Sequence, residues 1–190
     1  METNANAEGA SLPCGRVRSI NISKRKGTRK TPLDSPALVV AQHGLADDAH
    51  AGDWHRQVSL LAWESIERAQ RMGLDVAEGD FAENVTTEGI DLLALPLGTR
   101  VRIGDEVLLE LSQIGKVCHT HCAIYHLAGD CIFPREGIFF VALEGGTIRE
   151  GDPVQVVAMG DGHCEYTPQE ALDEIQEARA AEAAQAAAQV

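Results

Sequence analysis

Apolar residues along this chain come in short runs, and most are spaced for strands. From Arg16 the series Val17, Ser19, Ile20, Ile22 predicts a strand with imperfect alternation. Residues 37–41 and 58–62 are short, β-rich apolar runs, and 100–103, 107–114, 138–143 and 154–157 repeat the theme. Gly-Asp pairs at Gly104-Asp105 and Gly151-Asp152, with Gly145-Gly146, punctuate these runs as turns. The apolar stretch 91–98 reads as a strand end entering a turn, and the Gly- and Asp-rich stretch 43–53 as a loop. Helical spacing occurs twice. Trp63, Ile66, Ala69 and Met72 predict a helix closed by Gly73. Residues 168–189 predict a terminal helix with Leu172, Ile175 and Ala178 on one face. Its start reads as Thr167 at the N-cap, Pro168 at the first helical position and Glu170 completing a capping box. Many short strands and few helices favour a barrel or sandwich over a doubly wound sheet.

A chain of 190 residues is the length of one domain. Its 44% hydrophobic and 24% charged content excludes a collagen, a coiled coil and a wholly disordered chain. No apolar run reaches the roughly 18–20 residues of a membrane helix, and no basic-then-apolar leader opens the sequence, so a cytoplasmic protein is expected. Residues 1–13, small and polar, are expected to be disordered, with a barrel domain over 14–160 and a helical extension over 161–190. Charge is uneven. Residues 1–33 carry seven basic and two acidic side chains, net +5, within a chain of net −13. An acidic body repels a phosphate backbone, which argues against nucleic acid as a partner. An anionic ligand must be met by local cations, and residues 24–30 hold the one dense cluster.

Three of five cysteines and three of seven histidines fall between Cys118 and Cys131. The spacing is Cys118-x3-Cys122-x8-Cys131, with His119, His121 and His126 interleaved. Thiolates are soft ligands that select zinc, copper(I), iron–sulfur or a molybdenum or tungsten centre. The spacing lacks the second Cys-x2-Cys half of a structural zinc site, although a zinc-stapled interaction protein remains an alternative. Two further stretches carry usable groups: His50, Arg56, Gln57 and Ser59 in a glycine-containing loop leading into a strand, and Asn84 in a second loop. Arg135 follows the thiol cluster.

The ordered segments DAHAG (48–52), RQVSLL (56–61), GDFAENVTT (79–87), LPLGTRVRIG (95–104), IGKVCH (114–119), PREGIF (134–139) and GDPV (151–154) resemble the MOSC domain, the C-terminal module of molybdenum cofactor sulfurases. The resemblance runs from about Gly15 to Val157 and is to the small, stand-alone bacterial type. It implies a closed β-barrel with a few flanking helices, to which the C-terminal helix read from the residues is added. It also implies a bound molybdopterin-type cofactor, with molybdenum or tungsten, and a cysteine, here Cys118, that touches the metal or carries sulfur. Cys122 and Cys131 are candidates for a second soft contact. The terminal phosphate of such a cofactor calls for cations, for which Lys26, Lys30, Arg56 and Arg135 are the candidates. His50, Gln57, Ser59 and Asn84 are the candidates for its heterocycle. The expected function is cofactor binding with a part in maturation, sulfur transfer or delivery. Molybdoenzymes or cofactor-biosynthesis proteins are the implied partners. A small molybdenum-dependent oxidoreductase with an external electron donor is the alternative within the same resemblance.

Overall fold

The computed structural model describes residues 12–117 and 132–188. In chain order the strands are β1 (Cys14–Ile22), β2 (Thr31–Pro32), β3 (Ala37–Val40), β4 (Gly44–Leu45), β5 (Val58–Ala62), β6 (Val85–Glu88), β7 (Arg100–Ile103), β8 (Val107–Ile114), β9 (Ile138–Glu144), β10 (Gly146–Ile148) and β11 (Pro153–Ala158). Among the described residues the helices are α1 (Trp63–Arg71), α2 (Phe133–Glu136) and α3 (Gln169–Ala188). Seven strands close on themselves in the order β1, β11, β7, β8, β9, β5, β6 and back to β1, as the resemblance implied. Every pairing around the ring is antiparallel except β5–β6, where Leu60 lies opposite Val85. That parallel pair requires a crossover, and α1 lies between its two strands in the chain. A smaller sheet, β10–β3–β4, sits beside the barrel.

The imperfect alternation of β1 has a physical cause. Its register against β6 shifts between Val17 and Ser19, a β-bulge. The extra residue lets Val17 and Ile20, three apart, both enter the core. β1 is long enough to serve three neighbours, pairing β11 at Cys14–Arg16, β6 at Arg16–Ile20 and β2 at Asn21–Ile22.

The barrel core takes alternate residues of each strand, among them Val58, Leu60, Leu109, Leu111, Ile138 and Phe140. A second cluster lies outside the wall, where Ile66 and Ala69 of α1 pack on Leu61, Phe81, Phe133 and Phe139. Burying a side chain such as Ile66 contributes roughly 1.5–3 kcal/mol. α1 runs as its spacing predicts and ends at Gly73, with φ +94°. Met72, expected on its apolar face, is instead 68% exposed.

Two further expectations are corrected. Residues 91–98 form no strand. Asp91 Oδ1 accepts the N–H groups of Leu93 and Ala94, folding the segment into turns that place Leu92 and Leu95 in the barrel core. Thr167 does not cap α3. Its hydroxyl donates to the Ser112 carbonyl at 2.5 Å, and Pro168 supplies the first helical acceptor, for Ala171 and Leu172. Among the described residues, no helix is long and apolar enough to cross a membrane.

Candidate functional site

The basic stretch 23–30 leaves β1 as a turn and returns to β2. Inside it the Ser23 hydroxyl donates to the Arg25 carbonyl at 2.6 Å, and the Thr28 hydroxyl donates to the same carbonyl at 2.9 Å. Gly27, at φ +73°, supplies the left-handed residue the turn requires. Lys24, Arg25 and Lys26 are thereby exposed on a fixed loop. Lys30 lies elsewhere. Its Nζ sits 2.8 Å from Asp48 Oδ1, and both side chains are 1% exposed.

Asp48 belongs to the 43–53 loop and gathers the region around its carboxylate. Oδ2 accepts the Ser23 N–H at 3.0 Å, and Oδ1 accepts the His50 N–H at 3.0 Å besides the Lys30 ammonium. Burial works to raise this carboxyl. The His50 imidazole, the Lys30 charge and the donated hydrogen bonds outweigh it and hold the group well below the usual carboxylate range. The Lys30 ammonium is pushed below its ordinary value by burial, against the opposing pull of Asp48 and Glu83.

A wall of rings and cations continues from this loop. The Trp54 indole N–H donates to the His50 carbonyl at 2.9 Å. Arg56 stacks over Trp54 at 4.8 Å and over Phe139 at 5.6 Å, and Lys26 reaches the same indole at 5.8 Å. Phe139 meets Phe133 edge-on at 5.5 Å, and Lys116 covers Phe133 at 5.5 Å. The row therefore runs from the basic loop to both ends of the segment 118–131: Lys116 stands two residues before it and Phe133 two after. Backbone bonds from Gly115 N–H to the Gly137 carbonyl and from Lys116 N–H to the Pro134 carbonyl hold those ends side by side.

His55 completes the wall. Its Nε2 lies 2.8 Å from Gln113 Oε1, while Gln113 Nε2 donates to the Gly115 carbonyl at 2.8 Å. With the amide oriented by that second bond, the imidazole must carry its proton on Nε2. Burial pushes the His55 pKa down, with Gln113 opposing, so a neutral ring faces the site at pH 7. Burial likewise lowers the Arg56 guanidinium from its ordinary value.

The structure thus brings together Lys26, His50 and Arg56 of the sequence-derived candidates. Lys30 lies beneath them, joined to Asp48. Gln57, Ser59 and Asn84 are buried in the barrel wall: Gln57 Oε1 accepts the Ala142 N–H at 3.0 Å, and Ser59 and Asn84 bond one another. Arg135 is exposed on α2. Cys118, Cys122 and Cys131, with His119, His121 and His126, lie outside the described residues. Among the described residues, no group of three His, Cys, Asp or Glu is placed to hold a metal.

Three participants escaped sequence reasoning. Trp54 is one of two tryptophans in the chain and stands two residues before Arg56, a signal that was available. Asp48 was hidden because its partners lie 18 and 25 positions away. Glu83 is the third. It is fully buried, with Oε1 accepting the Gly79 N–H at 2.6 Å and the Thr86 hydroxyl at 2.9 Å, while Oε2 has no partner. Burial raises its carboxyl to about 7, the donated hydrogen bonds opposing. Gly79 is where the two loops touch: a Cβ there would stand 2.4 Å from the Lys30 carbonyl oxygen.

A family model described as the MOSC domain matches residues 47–155. The solved structure of YiiM from Geobacillus stearothermophilus is similar at 25% identity and a TM-score of 0.61, covering 79% of this chain and 78% of that one. The YuaD protein from Bacillus subtilis is similar at 18% identity and a TM-score of 0.63, covering 75% and 95%. YiiM from Escherichia coli is similar at 19% identity and 0.53, covering 86% and 76%. At these last two identities the likeness shows the fold. No curated protein matches the chain.

Proposed function

This chain belongs to the MOSC domain family, and from that premise we propose that it binds a molybdopterin-type cofactor, with molybdenum or tungsten, and serves its maturation, sulfur transfer or delivery through the thiolate of Cys118. MOSC domains are associated in general with molybdenum cofactor binding and sulfur transfer.

One observation carries the reading: the row of cations and rings, from Lys26, Trp54 and Arg56 through Phe139 to Phe133 and Lys116, borders in sequence both ends of the segment that holds the cysteines. The donor set fits the group. Lys26 and the guanidinium of Arg56 suit a phosphate, the indole of Trp54 offers a flat apolar face to a heterocycle, and His50 and His55 supply imidazole nitrogens beside it. Cys118, two residues beyond Lys116, supplies the soft ligand. When bound, the cofactor supplies a metal that accepts thiolate and exchanges sulfur. The chain's residues hold its anionic end and orient its ring. Lys30, Gln57, Ser59 and Asn84 support the wall from behind instead of touching the ligand.

The test is protein purified under reducing conditions, with metals measured by elemental analysis and released pterin by fluorescence. Molybdenum or tungsten together with pterin is expected. In Cys118→Ser the metal should be lost while the fold, read by circular dichroism, stays intact. Zinc without pterin overturns the reading in favour of a metal-stapled interaction protein. Turnover of an N-hydroxylated substrate with an artificial electron donor would identify the oxidoreductase alternative.

A further inference from the structure

We propose that Asp48 is the positioning residue of this site: its single buried carboxylate fixes both the cationic loop 23–30 and the proton of His50, so that loop and imidazole act on a ligand as one unit. The inference rests on the functional reading above for the ligand, but its structural half stands on the geometry alone.

The carboxylate closes the loop. Oδ2 holds the Ser23 N–H at 3.0 Å and Oδ1 holds the Lys30 ammonium at 2.8 Å, so the first and last residues of the basic stretch meet on the same group. Two backbone bonds lock the same ends, Ala49 N–H to the Ser23 carbonyl and Lys30 N–H to the Gly79 carbonyl, each at 2.8 Å. Lys24, Arg25 and Lys26 lie between these anchors and are exposed. Lys24 pairs with Asp47 at 3.1 Å, which offsets part of the repulsion among these adjacent like charges, and tethering at both ends keeps them on one side of the molecule. Of the about four lone-pair positions of a carboxylate, three take the Ser23 N–H, the His50 N–H and the Lys30 ammonium, and the side chain is 1% exposed. Asp48 therefore touches no ligand itself and acts through what it holds.

It also sets His50. The His50 Nδ1 atom is buried with no hydrogen-bond partner, and Asp48 Oδ1 stands 3.5 Å from it. A bare ring nitrogen facing a carboxylate oxygen would set two lone pairs against each other. An N–H in that place is attracted, so the neutral ring carries its proton on Nδ1. The other nitrogen, Nε2, is then an acceptor on a side chain 27% exposed. The site consequently presents two imidazoles of opposite sense, His55 with its proton on Nε2 and His50 with an open lone pair there. The ligand chemistry this selects at His50 is a hydrogen-bond donor, an N–H or O–H edge, on a molecule whose anionic part meets Lys24, Arg25 and Lys26.

The experiment compares the full chain with Asp48→Asn and with the double variant Asp48→Asn, Lys30→Met, which removes both buried charges at similar volume and guards against loss of fold in the single variant. Nitrogen-15 NMR in alkaline buffer reads which ring nitrogen of His50 carries the proton. Titration with inorganic phosphate, followed at the amides of Lys24, Arg25 and Lys26, reads the loop. The expected result is Nδ1–H in the parent protein, proton density moved onto Nε2 in both variants, and phosphate affinity reduced roughly tenfold. Nε2–H in the parent, or variants with unchanged proton position and phosphate response, overturns the inference. A parent protein with Nδ1–H that ignores phosphate overturns the loop's anion role and the functional reading's cationic wall, while the His50 assignment stands.

Discussion

Asn84 Oδ1 accepts both the N–H and the hydroxyl of Ser59, at 3.1 and 3.0 Å, and the Ser59 hydroxyl oxygen accepts the Asn84 N–H in return at 3.1 Å. This mutual clasp ties β5 to the residue before β6, the one parallel pairing of the barrel. Both residues are buried. Removing the amide leaves a buried N–H and hydroxyl without an acceptor, which costs about 1–3 kcal/mol. Asn84→Ala should therefore lower the urea midpoint markedly, and Ser59→Ala by less, since Asn84 Oδ1 keeps one donor. An Asn84→Ala protein of parental stability would remove the clasp from the account of the fold.

These two residues also show where sequence reasoning stops. Strand runs, Gly-Asp turns and α1 were legible because periodicity and turn chemistry are local. The ordered motifs conveyed the closed barrel. What a polar side chain faces is decided by partners far along the chain. Ser59 and Asn84, 25 positions apart, looked like ligand groups because each lay in a loop-rich, polar context, and their pairing is not written in either neighbourhood. Lys30 shared a charge run with Lys26, yet one is buried on Asp48 and the other exposed over Trp54. Residues 91–98 looked like a strand because apolar content does not tell a strand from a turn whose leucines fill a barrel core.

Arg56 combines a planar shape with its charge. Its planar guanidinium lies over Trp54 and Phe139 at once. A lysine retains the charge but neither the stacking nor the two-pronged donor set. Arg56→Lys should lower retained pterin and metal by about tenfold, a loss of about 1.4 kcal/mol in affinity, with little change in melting temperature. Parental cofactor content in Arg56→Lys would show that charge alone suffices, or that Arg56 is not at the ligand.

Glu83 makes stability depend on pH near neutrality. Its folded carboxyl lies at about 7 against an ordinary 4.5, so the folded chain holds this proton more tightly than the unfolded chain. The resulting stabilisation is complete below about pH 4.5 and is lost as pH rises through about 7. The contribution is on the order of 3 kcal/mol. Asp48 has the opposite sign: held low, it stabilises above its ordinary range and loses that share only in acid. Urea unfolding between about pH 4.5 and 8 should show this share falling in the parent, most of it by about pH 7, with a flatter profile in Glu83→Gln, which mimics the protonated acid. Identical profiles would mean that Glu83 does not titrate in this range.

Thr167 is a strap, and its role separates cleanly from that of a helix cap. Its hydroxyl donates to the Ser112 carbonyl, while the single proton of the Ser112 hydroxyl is shared between the carbonyls of His55 and Phe139. The segment leading into α3 is therefore joined through β8 to the site wall. Ala171 is buried in the first turns of the helix and continues the contact. Thr167→Val keeps the shape and removes one hydrogen bond, about 1 kcal/mol. Amide exchange in residues 169–176 should quicken roughly fivefold, with β8 protection unchanged. Thr167→Asp decides between the roles. Aspartate is a strong N-cap, so a capping role predicts rescue. A carboxylate cannot donate to the Ser112 carbonyl and repels it, so the strap predicts exchange at least as fast as in Thr167→Val.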